Sequence, residues 1–286
     1  MVTSAESISE ISARLEGHLR SLIGPRDPYL GKAKHQLAQY YIQQELGRWG
    51  QVNAQSFFVQ GQEHHNWSLE IAGYRPQLAP ILVGAHYDTV PGSPGADDNT
   101  SGLAVLLVLA ELLAHTQPRR SVHLVAFDLE EYGLVGSKTC ARAWKAEGRS
   151  LHLMLSLEML GYFSDEGRSQ KYPLPALSRL YPDTGSFIAL IGNATTIPKM
   201  IGLKRQLKKA NAPCQWLPVA NNGNSLPATR RSDHAPFWDE GYSAILVTDT
   251  ADLRNPHYHR ASDRIETLDI SRMADITRGL AISLIK

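Results

Sequence analysis

Groups able to bind a cation or move a proton recur in this chain where apolar runs stop. Ile81-Leu82-Val83-Gly84-Ala85 runs into His86-Tyr87-Asp88, and Asp97-Asp98-Asn99 stands directly before an apolar helix pattern. Glu130-Glu131 follows Val122 to Phe127, Glu158 closes His152 to Leu157, and His257-Tyr258-His259 comes after Ala244 to Thr248. Each fragment alone has an ordinary explanation: a capped strand end, acidic residues at a helix N-terminus, or a solvated loop. Glu158 resists that treatment, because Leu157, Met159 and Leu160 flank it and a buried carboxylate needs a partner. Taken jointly, two imidazoles and three carboxylates with no thiolate suit zinc or a related divalent ion. The set matches a paired-metal site, with one carboxylate bridging and one His plus one carboxylate closing each side. Asp88, two residues beyond His86, is placed to orient that imidazole. Glu130, beside a ligating Glu131, is left free to take a proton from metal-bound water.

These groups converge only if the surrounding elements form a sheet whose strand ends share one edge. Helical spacing is expected from Ser7 to Ile23 and from Gly31 to Trp49, with Gly24-Pro25 and Asp27-Pro28 punctuating the gap. Val52 to Ala72 reads as two strands around Gln60-Gly61-Gln62. Beyond residue 81, strands at 81–85, 122–127, 152–157, 186–191 and 244–248 alternate with helices at 102–114, 135–146, 198–209 and 270–284. Thr100 or Ser101 is the expected N-cap of the helix at 102–114. Such alternation implies a mixed, mostly parallel sheet covered on both faces, a three-layer α/β/α sandwich. Ligands in such sheets bind beyond the carboxyl ends of the strands, where the charged groups sit. With no internal repeat or linker-like tract, residues 1–286 are expected to form a single domain, its N-terminal helices (1–50) packing on the sheet.

Composition narrows the function. Hydrophobic residues make up 43% and charged residues 20%, globular proportions that exclude a disordered or coiled-coil chain. Lys plus Arg (29) nearly cancels Asp plus Glu (28), so no nucleic-acid partner is expected. The apolar run from Leu103 to Leu113 is too short to span a bilayer, and the N-terminus lacks a basic, apolar leader. A cytoplasmic protein with no membrane partner is therefore expected. Cys140 and Cys214 are too few for a disulfide framework or a CxxC zinc ribbon.

The motifs, in order, resemble those of the co-catalytic di-zinc aminopeptidase family, metallopeptidase family twenty-eight, whose relatives include bacterial leucyl aminopeptidases, glutamate carboxypeptidase and glutaminyl cyclase. The matching stretches are Gly84 to Asp88, Gly95 to Gly102, Phe127 to Ser137, Leu157 to Tyr162, Ser232 to Phe237, and Tyr258-His259 with Asp263. They run from about residue 80 to the C-terminus. The resemblance implies a zinc-exopeptidase-like fold and two zinc ions, with His86 and Glu158 on one, Glu131 and His259 on the other, and Asp98 bridging. It places Glu130 on the general base, Asp88 on the partner of His86, and Tyr258 where some relatives polarise the scissile carbonyl. The implied activity is removal of N-terminal residues from peptides by a di-zinc-bound hydroxide. The alternatives are a single-zinc glutaminyl-peptide cyclotransferase and a non-catalytic binding module of the same fold.

Two departures stand out. Glu158 occupies a position where the family often has Asp, and Arg260 follows His259 where the family usually has Thr. A solvated Arg260 is expected, with binding of a substrate carboxylate as the alternative. Among the remaining histidines, His64 and His65 are expected to be exposed, His123 and His152 to be core or sheet-face residues, and His234 to serve structure or to support a ligand from behind. The Asn211 to Arg231 segment is expected to form a loop over the site.

Overall fold

The computed structural model describes residues 7–286. The first helix, α1 (Ile8–Leu22), opens with a reciprocal cap in which the Ser7 hydroxyl accepts the Glu10 N–H and the Glu10 side chain accepts the Ser7 N–H. Helix α2 (Lys32–Gly47) follows, then the hairpin β1 (Val52–Val59) and β2 (Gln62–Ile71). The alternating part comprises β3 (Ile81–His86), α3 (Gly102–Ala114), β4 (Val122–Phe127), α4 (Val135–Ala146) and β5 (Leu153–Glu158). It continues through β6 (Ile188–Asn193), α5 (Ile197–Lys209), β7 (Cys214–Val219), α6 (His234–Asp239), β8 (Ala244–Thr248) and α7 (Ile270–Ile285).

All eight strands join one sheet in the order β1-β2-β4-β3-β5-β8-β6-β7. The centre, β4-β3-β5-β8, is parallel, and so is β6-β7, while β1-β2, β2-β4 and β6-β8 run antiparallel. The sheet is therefore mixed and mostly parallel at its centre, as the alternation implied. Helices α1, α2, α3, α5 and α7 share the main apolar core on one face, and α4 with α6 covers the other. Helix α3 is apolar on every face except at Glu111, which pairs with Arg14, because it lies between the sheet and the outer helices α1 and α7.

Several expectations need adjustment. Helix α2 packs on β1 and β2, whereas α1 lies on α3 and α7 rather than on the sheet. The strand expected at 186–191 runs from Ile188 to Asn193. Part of the anticipated loop at 211–231 is the edge strand β7, whose Pro218 obscured the strand pattern; an edge tolerates a residue without an N–H. Ser101 does not cap α3, since its hydroxyl donates to the Asp97 carbonyl; Asn99 Oδ1 accepts the Gly102 N–H instead. Cys140 and Cys214 are both buried free thiols. No helix among the described residues is long and apolar enough to cross a membrane.

Candidate metal centre

The parallel strands deliver their C-terminal ends to one edge, and the candidate ligands gather there. His86 and Glu158 are the last residues of β3 and β5. Glu130 and Glu131 sit on the turn after β4, where Leu129 adopts φ +56° and swings the chain across the edge. Asp98 sits at a kink in the turn Ala96–Ser101 leading into α3, with non-helical φ -101° and ψ 94°, and His259 lies in the turns after β8.

Two groups form. His86 Nε2 lies 3.3 Å from Asp98 Oδ1 and 3.5 Å from Glu158 Oε1. His259 Nε2 lies 3.1 Å from Asp98 Oδ2 and 3.3 Å from Glu131 Oε2. Each carboxylate oxygen of Asp98 thus faces a different group, and within each group the donor atoms lie within 4.8 Å of one another. Glu130 Oε2 stands 4.0 Å from His86 Nε2, outside both sets.

Neighbouring groups fix these side chains. Asp88 Oδ1 lies 3.4 Å from His86 Nδ1, and the Asp88 carboxylate also accepts the Glu130 and Glu131 N–H groups, both at 3.1 Å. One buried aspartate therefore locks the imidazole and the acidic turn together. Ser232 donates to Glu158 Oε2 at 2.8 Å, and the Asp263 carboxylate accepts the N–H groups of Asp97 and Asp98 at 2.9 and 3.1 Å. Sequence reasoning quoted Ser232 and Asp263 within motifs but gave neither a task.

The remaining candidates lie around this centre or away from it. The Tyr258 ring stacks on His259 with centroids 3.7 Å apart, and its hydroxyl accepts from Arg231 Nη2 at 2.9 Å. Arg230 turns to Asp239 and the Asn222 carbonyl, and Arg260 is exposed. His234 is buried away from the centre, with Nε2 donating to the Thr229 carbonyl and its ring edge-on to Trp238. His65 is half-buried and bonded to Ser56. His64, expected to be exposed, is buried: β2 turns it inward onto Asp128, which also binds His35.

Charge explains what the centre needs. Burial pushes Glu130 well above the ordinary carboxylate range; His86 pulls against this, while Glu158, Glu131 and Asp233 push further. Glu131 rises to about 7, through burial and then the Asp98 charge. Burial also raises Asp98, but His259 and His86 outweigh it and hold that carboxyl below its usual range. Burial lowers His259, yet Asp98 and Glu131 lift it to about 10. Carboxylates outnumber imidazoles, a surplus that calls for added positive charge. His86 Nε2 and Glu131 Oε1 are buried without a hydrogen-bond partner. Oxygen and imidazole donors, among them the unsatisfied His86 Nε2 that faces Asp98 and Glu158, fit divalent ions such as zinc.

A cavity of about 160 Å³ opens from this centre. Glu158, Ser232 and Tyr258 form one end, and Tyr172, Tyr181, Phe187, Ile191, Trp216 and Leu246 contribute to an apolar wall.

Comparison with known proteins adds three findings. The family model described as Peptidase family M28 matches residues 68–282. The uncharacterized protein YfbL of Escherichia coli is 37% identical over 256 residues, covering 85% of this chain and 77% of its own. The chain spans about half the length or less of other curated relatives, which carry the names aminopeptidase, leucine aminopeptidase and zinc metalloprotease. Among solved structures, the fold matches Porphyromonas gingivalis glutaminyl cyclase (TM-score 0.72, 19% identity, 97% of each chain). It also matches the Legionella pneumophila LapA aminopeptidase (TM-score 0.71, 17% identity, 99% of this chain and 73% of that one).

Proposed function

The chain belongs to peptidase family M28, and on that footing we propose that it is an aminopeptidase holding two zinc ions. His86, Asp98 and Glu158 hold one ion; Asp98, Glu131 and His259 hold the other. The observation that carries this reading is Asp98, whose two oxygens face separate His-plus-carboxylate groups. When bound, the ions polarise the peptide carbonyl and acidify water.

The chain's own residues do the rest. Asp88 holds His86 in orientation and fixes the turn carrying Glu130. Glu130, left out of both ligand groups and 4.0 Å from His86 Nε2, takes a proton from the attacking water and returns it to the leaving amine. The free α-amino group of the substrate is received beside the carboxylates of this centre. Tyr258 lines the cavity, and Arg231 donates to its phenolic oxygen and leaves the phenolic proton free for a substrate oxygen. The aromatic and aliphatic wall favours a large apolar N-terminal side chain.

Metal analysis combined with a substrate panel tests the proposal. Two zinc ions per chain are expected, with cleavage of leucyl and phenylalanyl arylamides that chelation abolishes and zinc restores. N-acetylation of a dipeptide is expected to block cleavage, and C-terminal amidation to change little. The opposite pattern would make the enzyme a carboxypeptidase. One ion with cyclisation of N-terminal glutamine would make it a cyclotransferase, and full activity without metal would end the proposal.

A further inference from the structure

The short connection between α1 and α2 contains a cation that is wholly buried yet pairs with no carboxylate of the described residues by direct contact. Arg26 is 0% exposed, and its guanidinium bonds are all to backbone carbonyls. Nε donates to Tyr87 at 2.8 Å; Nη1 donates to Leu22, Gly24 and Pro94 at 2.9, 3.0 and 3.2 Å; Nη2 donates to Gly95 at 3.3 Å. The Arg26 N–H adds a bond to Thr89 Oγ1, and the Gly24 N–H one to the Pro94 carbonyl. Burying an unpaired cation costs several kcal/mol, so the site must compensate it from further away. The negative groups that support its charge are Asp263, Asp88, Asp98 and Glu131, the carboxylates of the centre and its immediate supports.

The carbonyls Arg26 holds are placed to matter. Tyr87 lies between His86 and Asp88, and Pro94-Gly95 lead into the turn that carries Asp98. One planar fork therefore ties both limbs of the loop joining the first His to the bridging aspartate. Gly95 has φ +62°, and a Cβ there would meet the Asp98 carbonyl at 2.4 Å and Arg26 Nη2 at 3.0 Å, so the loop closes tightly on the guanidinium. The next residue grips the other acidic turn. Asp27, also 0% exposed, accepts the Tyr29 and Leu30 N–H groups through Oδ1 and the Tyr132 hydroxyl through Oδ2. Tyr132 immediately follows Glu131, and the Tyr29 ring meets it edge-on at 5.0 Å.

We propose that the segment from Gly24 to Leu30 is a brace that sets the geometry and affinity of the metal centre, with Arg26 and Asp27 as its positioning residues. Arg26 fixes the loop bearing His86 and Asp98, and Asp27 fixes Glu131 through Tyr132. The inference rests on the reading of His86, Asp98 and Glu131 as metal ligands. Groups that orient ligands from behind contribute roughly 10- to 100-fold to metal affinity. Tyr132→Phe removes one hydroxyl from a partly exposed ring and spares the core. Arg26→Lys keeps the charge but cannot reach the same set of carbonyls.

Zinc affinity, measured by competition with a chromophoric chelator alongside thermal unfolding of the metal-free protein, tests the brace. Tyr132→Phe is expected to weaken one of the two ions about 10-fold, leaving the other ion and the metal-free unfolding temperature nearly unchanged. Arg26→Lys is expected to weaken both ions. If Arg26→Lys does not fold, Tyr132→Phe decides alone. Wild-type affinity for both ions in Tyr132→Phe would overturn the brace, with or without a fall in metal-free stability. A wild-type protein that takes up no zinc would overturn the metal reading beneath it.

Discussion

At the scale of single residues, Glu130 and Glu131 are chemically identical neighbours that the backbone separates into two tasks. Glu131 Oε2 joins the group of Asp98 and His259, while Glu130 stands outside both groups beside His86. Glu130→Gln keeps the shape and removes the base, so turnover is expected to fall roughly two to four orders of magnitude with zinc content intact. Glu131→Gln is expected to lose zinc as well as activity. Metal analysis of the two purified variants checks the division, and equal zinc content in both would contradict it. The acidic residues and histidines of this centre were legible in the sequence because His86, Glu130, Glu131 and Glu158 stand where apolar runs end, Asp98 stands where one begins, and the motifs around them and His259 resemble the family's. Their supports were not. Ser232 and Asp263 reach the centre from segments distant in sequence, and no local spacing announces that Asp263 accepts the N–H groups of Asp97 and Asp98. His64 misled for a related reason: its polar neighbours suggest exposure, and only the pairing of β2 with β4 turns it onto Asp128.

At the scale of elements, the kinked turn Ala96–Ser101, with Asp98 and Asn99 outside helical φ/ψ, does what a regular helix start could not. It sends Asp98 toward both histidines while keeping α3 packed beneath the sheet. Asn99 makes that possible. Its Oδ1 accepts the Gly102 and Met159 N–H groups, and its Nδ2 donates to the Leu157 carbonyl at 2.8 Å, so the turn is fastened to the chain on either side of Glu158. Asn99→Ala leaves those buried groups unpaired, and each unsatisfied group costs about 1–3 kcal/mol. Unfolding in urea is expected to show a loss of at least about 2 kcal/mol, accompanied by weaker zinc binding; an unchanged midpoint would contradict this account. Residues 96–101 illustrate the limit of sequence reading at this scale. The composition points to a helix N-terminus with Thr100 or Ser101 as cap, but tertiary bonds to Leu157 of β5 and to Met159 and Leu160 just after it decide the turn and transfer capping to Asn99. Strongly periodic or wholly apolar segments such as α3, α4 and β8 were legible to within a residue or two, because burial on the sheet alone determines them.

At the scale of the whole molecule, the centre is the crowded end of a sheet in which burial also holds some polar groups neutral. His234 is the clearest case. Burial, its main determinant, holds it down to about 3, against a weaker upward pull from the Thr229 carbonyl that its Nε2–H meets. An unfolded histidine titrates near pH 6.5, so between that value and about 3 the unfolded chain binds a proton that the folded chain refuses. Stability linked to this group is therefore fully present above pH 6.5 and is lost as the pH falls, by about 1.4 kcal/mol per pH unit. His234→Gln retains an N–H donor for Thr229 and cannot titrate. Its stability deficit relative to the wild type, read from urea unfolding at neutral pH, is expected to shrink by roughly 2 kcal/mol at pH 5. Taking the difference between the two proteins cancels the titration of the metal-centre carboxylates, which both share. A deficit that stayed constant from pH 7.5 to pH 5 would show that His234 does not remain neutral in the folded protein.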